Sequence, residues 1–231
     1  MVTKSKSMRI PSREKELCKL LRELLQKTSE EKKILNIWKI FPQKGEGSIN
    51  LSSRNFKKFS SEWWGKKLTP QLEIDILIVL NEEIKLDDSS LKPCLLGIEV
   101  KYFKKPSNQN FYEGISQALA YLTIGIDKTC LLHVFNPEYP DDRALLLSKT
   151  AETLIKGCRL PINYVACKLL DDGRFEMLSL YSSPYNVTIE ELFYYLKQSP
   201  QNPLYSDILY KDEILRRRQT LMALLQIPTI P

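Results

Sequence analysis

Histidine is almost missing from this chain. His133 is the single one among 231 residues, which removes H-E-x-x-H metal sites and acid–base mechanisms that need two histidines. It sits in C-L-L-H-V-F, a strand-like run, and is expected to be a satisfied structural residue. Paired cysteines are missing too. Cys18, Cys94, Cys130, Cys158 and Cys167 stand alone without a C-x-x-C. Four of them lie inside apolar runs, so they are expected as small buried hydrophobes, not as zinc ligands or a disulfide framework. No apolar run is long enough to span a membrane, and the basic start M-V-T-K-S-K-S has no apolar segment. No signal peptide and no membrane partner are therefore expected, and the chain reads as intracellular, cytoplasmic. Internal repeats and low-complexity linkers are absent. Chemistry must then come mainly from carboxylates, lysines and tyrosines.

What is present is an ordinary globular composition, 43% hydrophobic and 27% charged. The simplest division is one domain over residues 1–231, with a basic tail at 1–12, a core at 13–135, and further strands and C-terminal helices at 136–231. The net charge of +6 favours an anionic partner. Basic residues cluster at Lys57-Lys58, Lys66-Lys67, Lys104-Lys105 and Arg216-Arg217-Arg218.

From Ser12, S-R-E-K-E-L-C-K-L-L-R-E-L-L predicts a helix with Ser12 as N-cap. Its apolar stripe, Cys18, Leu21 and Leu25, extends back one turn onto Glu14. Glu14 thus either points inward or serves the helix dipole in the first turn. Residues Ser29 to Ile40 extend this helix or begin a second element. Between Phe41 and Thr69 a loop with a short helix near Ser53–Trp64 is expected, with Phe56, Phe59, Trp63 and Trp64 as core. A helix over Asn110–Ile124 places Glu113, Gln117, Tyr121 and Ile124 along one side, and Gly125 ends it. Strands are expected at Cys130–Phe135, Ile162–Leu170 and Phe175–Leu180. Helices are expected at Ser148–Lys156 and at Thr188–Lys197, the latter capped by Thr188, with a basic helical piece after Ser206.

The stretch from Pro70 to Lys101 organises the chain. Two apolar runs, L-E-I-D-I-L-I-V-L and C-L-L-G-I-E-V-K, each carry carboxylates in their middle. Side chains alternate along a strand, so Glu73 and Asp75 are expected on one face and Ile74, Ile76 and Ile78 on the other. By the same rule Glu99 and Lys101 point together, away from Ile98 and Val100. Pairing of the two runs gathers like carboxylates on a largely buried sheet, which is costly unless they are paired or bind metal. A hard divalent cation, which takes oxygen ligands, resolves the conflict. The expectation is a metal-dependent site at Asp75 and Glu99 with Lys101 beside it.

Acid-x-lysine triplets begin at Glu30, Glu31, Glu83 and Glu99, but only Glu99-Val100-Lys101 lies in an apolar run. It follows an acidic strand and precedes a helix bearing Gln117. In that order, Asp75 of L-E-I-D-I-L, Glu99 and Lys101 of G-I-E-V-K and Gln117 of I-S-Q-A-L-A-Y-L make the chain resemble the PD-(D/E)XK nuclease superfamily, over roughly Glu14 to Phe135. Glu14 could match the extra acid that many members carry on the first helix. One departure is that Gln71-Leu72-Glu73 stands where a proline would directly precede the acid. The resemblance implies an α/β fold, a three-layer α/β/α arrangement with a central mixed sheet (an αβββαβ-type core) plus C-terminal helical additions. It also implies dependence on Mg²⁺, with Mn²⁺ as substitute, and cleavage of DNA. In that reading Asp75, Glu99 and the Val100 carbonyl hold the metal, and Lys101 orients or deprotonates the attacking water. Gln117 positions either, and Glu14 or Glu73 serves a second ion. Lys104, Lys105 and Tyr121 contact the DNA backbone. Two-strand cutting makes a homodimer a further expectation. A junction resolvase or exonuclease of the same fold, and a non-catalytic DNA-binding or scaffolding module, stay open as alternatives.

Overall fold

The computed structural model describes residues 10–32, 35–43, 47–51, 56, 63, 72–87, 89–106, 111–178 and 183–228. The elements in chain order are α1 (Glu14–Lys32), β1 (Ile37–Phe41), β2 (Ile49–Asn50), β3 (Glu73–Ile74), β4 (Ile76–Leu80), β5 (Ile84–Lys85), β6 (Ser90–Leu91) and β7 (Cys94–Phe103). They continue with α2 (Ile115–Leu122), β8 (Lys128–Phe135), α3 (Asp141–Gly157), β9 (Asn163–Leu169), β10 (Phe175–Met177), β11 (Tyr185–Val187), α4 (Ile189–Lys197) and α5 (Lys211–Leu224). Seven strands form one mixed sheet in the order β1-β4-β7-β8-β9-β10-β11. β7, β8 and β9 run parallel, and the outer pairs are antiparallel.

Helices cover both faces, as parallel strands require. On one face Leu17, Cys18, Leu21 and Leu25 of α1 and Leu192, Phe193 and Leu196 of α4 pack on Ile76, Ile78, Leu96, Ile98, Val100 and Leu132. On the other, α2, α3 and α5 pack on Leu77, Val79, Leu95, Leu131 and Phe135. The result is the three-layer α/β/α fold with its mixed central sheet. All ten residues of β7 are buried, so it is an interior strand covered on both faces, third in the sheet order beside the middle strand β8.

Several boundaries differ from the sequence reading, each for a local reason. α1 begins at Glu14, and Ser12 instead donates from both its amide and its hydroxyl to Glu16 Oε2, at 2.8 and 2.9 Å. α3 begins at Asp141, two turns before the expected Ser148, because Asp141 and Asp142 suit a first turn after Pro140. The polar connection after β4 folds into the short β5–β6 hairpin. Thr188 does cap α4, through a capping box with Glu191. Gly125 ends the turn after α2 at φ +85°, and a Cβ there would lie 2.6 Å from the Arg218 backbone. That close approach lets α5 dock: Arg218 Nε lies 2.8 Å from Asp127 Oδ1, which also accepts from the Tyr205 hydroxyl at 2.6 Å. Phe56 and Trp63 are buried, as expected for core. Phe59, Trp64 and the lysine pairs at 57–58 and 66–67 lie outside the described residues. Among the described residues, no helix is long and apolar enough to cross a membrane.

Candidate active site

Antiparallel pairing between β4 and β7 stops at Ile76 opposite Ile98. β7 runs on to Phe103, paired only with β8 on its far side. Its edge toward β4 is therefore open from Glu99 onward, and strand amides there need other acceptors. Two carboxylates supply them. Asp75 Oδ2 accepts from Val100 N at 3.0 Å, and Glu14 Oε2 accepts from Tyr102 N at 3.2 Å. Since one strand residue turns its N–H and C=O to the same side, the Val100 carbonyl also faces this open edge.

Asp75 stands in a bend that separates β3 from β4. The bend shifts the alternation by one residue. Ile74 packs with Leu77 and Val79, whereas Ile76 and Ile78 lie on the α1 face. The expectation that Ile74, Ile76 and Ile78 share a face fails here, and so does the pairing of Glu73 with Asp75. The Glu73 carboxylate instead accepts from Ser48 Oγ at 2.7 Å and Asn50 Nδ2 at 3.2 Å.

Glu99 and Lys101 point together, as the alternation predicted. Glu99 is 1% exposed, and its Oε1 lies 2.8 Å from Lys101 Nζ. That contact is an ion pair outside the angles of a hydrogen bond, so Oε1 has no hydrogen-bond partner. Lys101 Nζ also stands 3.5 Å from Glu14 Oε1. Glu14 thus does turn inward to the sheet. Burial, and next the charge of Glu99, push the Asp75 carboxyl up to about 7. Burial also raises Glu99, against the pull of Lys101. For Lys101 burial acts downward, but the charge of Glu99 outweighs it and the ammonium is held. The site is thus one where two acids resist ionising together.

Tyr121 does not reach outward to a backbone phosphate as expected. It is fully buried, because it belongs to the inward stripe of α2 with Ile115, Ala118 and Leu122. Its hydroxyl bonds to Glu99 Oε2, lies 2.9 Å from the Glu73 carbonyl, and accepts from Asp75 N at 3.3 Å. One hydroxyl therefore ties both acidic segments together. Gly97 makes room for it, since a Cβ at that position would meet Tyr121 Cδ2 at 3.0 Å. Gln117 is exposed, not turned to Lys101. A four-residue step overshoots the helical turn by about 40°, so the side that begins inward at Tyr121 has left the core one turn earlier. Lys104 and Lys105 are exposed just past the end of β7.

Two residues near Lys101 carried no functional reading in the sequence. Gly114, at φ +86°, lies against the lysine stem: its Cβ would stand 3.1 Å from Lys101 Cγ. His133, opposite Lys101 in the β7–β8 register, is buried and 3.0 Å from the Glu113 carbonyl and from the Tyr164 hydroxyl. It fixes the turn that contains Gly114. The expected helix over 110–124 placed Gly114 inside it, but α2 begins only at Ile115, just after Gly114 at φ +86°; for His133 there was no signal beyond its strand.

Among the described residues, no three His, Cys, Asp or Glu side chains form a ready-made metal cluster. The donors present still suit a small hard cation. The Glu99 and Asp75 carboxylates lie beside the open edge that the Val100 carbonyl faces, Glu99 Oε1 shared with Lys101, and all of these donors are oxygen. Mg²⁺ is commonly held by one or two carboxylates, with waters and substrate phosphates completing the shell. Compared with protein-family models, curated proteins and solved structures, the chain has no match.

Proposed function

We propose that this chain is a Mg²⁺-dependent nuclease, hydrolysing phosphodiester bonds in DNA on the PD-(D/E)XK plan. The observation that carries the reading is the pair of carboxylates, half-buried Asp75 and fully buried Glu99, set with Lys101 at the unpaired edge of β7. Asp75, Glu99 and the Val100 carbonyl would hold the cation, which supplies an acidified water and neutralises phosphate charge. Lys101, kept charged by Glu99 and Glu14, orients the attacking water and steadies the negative charge that develops on phosphorus oxygens. Tyr121 holds Glu99 in place and ties it to the Asp75 backbone. Glu14 shares the lysine and caps the open edge. Lys104 and Lys105, exposed beyond β7, give the DNA backbone a salt-dependent contact.

The test is cleavage of plasmid, single-stranded and branched DNA with Mg²⁺ or Mn²⁺ against chelator. Metal-dependent cutting that falls by several orders of magnitude in Asp75→Ala and Lys101→Ala is expected. Cutting that persists in both variants removes the assignment, and DNA binding without cutting in any metal points to the binding-module alternative.

A further inference from the structure

A groove of about 730 Å³ runs between α1 and the edge strand β1. Its lining includes Ile40, Pro42 and Trp38. The register between β1 and β4 slips between Ile37 and Lys39, so Trp38 is the extra residue of a β-bulge. Bulges re-aim side chains at sheet edges. This one leaves an indole 43% exposed on a strand whose neighbours Ile40 and Phe41 are buried. Water-exposed tryptophan in a concave wall is a stacking platform.

The rim is basic. Lys19, Lys27 and Lys39 line it with Glu23 and Glu30; Lys39 lies over the Phe41 ring, 4.8 Å from its centroid, and Arg22 beneath is buried and donates to the Gly47 carbonyl. Lys19 and Lys27 are held by exposed ion pairs of 3.9 Å to Glu23 and 3.8 Å to Glu31, which phosphates replace readily. The groove also lies next to the candidate active site. Lys19 is five residues along α1 from Glu14, about 8 Å at helical rise. At its other wall, Phe41 pairs with Leu77, two residues past Asp75.

We infer that this groove binds single-stranded nucleic acid, with a base stacked on Trp38 and phosphates along Lys19, Lys27 and Lys39. Duplex DNA keeps its bases stacked on each other and offers the indole none, so the groove discriminates strand form. The site stands whether or not the chain cuts DNA.

The experiment is fluorescence anisotropy of the full chain with labelled oligo(dT) and with a duplex of equal length, in chelator at low salt. Trp38→Ala is expected to weaken oligo(dT) binding about ten-fold, as loss of one stacked base does, and to leave duplex binding unchanged. Trp38→Phe, which keeps an aromatic face, should retain most of the affinity, and Lys27→Glu should lower the dependence on salt. Equal oligo(dT) binding by wild type and Trp38→Ala overturns the inference, as does equal weakening for both strand forms, or no oligo(dT) binding at all. Cleavage in Mg²⁺ is read separately. Cutting with no Trp38 effect removes the groove and leaves the nuclease; a Trp38 effect without cutting does the reverse.

Discussion

Asp75 takes the amide of Val100 at the point where β4 parts from β7, 3.0 Å across the gap. A carboxylate here substitutes for a missing strand neighbour. That is why an acid is structurally tolerated at the split, and why it comes within reach of Glu99. Under the proposed function the same position sets stability against chemistry.

Replacing Asp75 should expose that conflict. Its carboxyl is raised to about 7. A raised acid is not penalised at low pH, where it is protonated in both states. The penalty grows as pH climbs from the ordinary carboxylate range to about 7, then stays constant. In chelator, the wild type should therefore lose stability over that window, and Asp75→Asn should lose less and melt higher at pH 8. On the proposed function Mn²⁺ should raise the wild-type melting temperature, and Asp75→Asn should lose that shift. Wild-type affinity for Mn²⁺ should rise up to about pH 7 and then level off. Melting curves across pH, with Mn²⁺ and with chelator, check all three.

Tyr121→Phe keeps the ring in its slot beside Gly97 and removes only the hydroxyl. Glu99 Oε2 and the Asp75 amide then lose a partner in a buried place. Leaving such groups unpaired costs about 1–3 kcal/mol, measurable by urea unfolding. Weaker Mn²⁺ binding should accompany it, because Glu99 is no longer held. Gly97→Ala should weaken Mn²⁺ binding too, by pushing the ring off the strand.

Gly114→Ala is expected to act on Lys101. The new methyl would lie 2.7 Å from Leu131 Cδ1 and 3.1 Å from Lys101 Cγ, at φ +86°. Leu131 must then shift and the lysine stem give by a few tenths of an ångström, while Asp75 and Glu99 stay. The expected result is a cleavage rate reduced at least ten-fold with Mn²⁺ affinity nearly kept. A loss in metal affinity as large as the loss in rate would place Gly114 in fold stability alone.

His133 predicts an acid limit. Burial lowers it to about 4, although the Glu113 carbonyl pulls the other way. A histidine depressed in the fold leaves stability intact above its ordinary value near 6.5. As pH falls below that, the unfolded chain takes up the proton first, and stability drops until about pH 4. From pH 7 to 4.5 this one group should remove about 2 kcal/mol. Because Asp75 acts in the opposite direction over the same window, the loss is read as the difference between wild type and His133→Gln in denaturant melts at both values.

Periodicity made much of this molecule legible. The alternation in Cys94–Phe103 put Glu99 and Lys101 on one face, the stripe of α1 made an inward Glu14 one of two readings, and Thr188 announced a capped helix; each depends on neighbours within a turn or two. The bend at Asp75 was not legible, because the departure of β4 from β7 lies in the pairing of distant strands and not in L-E-I-D-I-L. Nor was the inward turn of Tyr121, which depends on the space that Gly97 leaves on another element.

The amino-acid sequence by itself determined which residues carry charge into the sheet and which helices bury which stripe, since dihedral period and hydrophobicity act locally. Only the tertiary structure decided that the open edge of β7 is closed by Asp75 and Glu14, that Tyr121 binds Glu99, that Gln117 faces water, and that Trp38 stands in a groove. Those outcomes follow from where strands stop pairing and which unpaired amides must then find an acceptor, and no single segment encodes that.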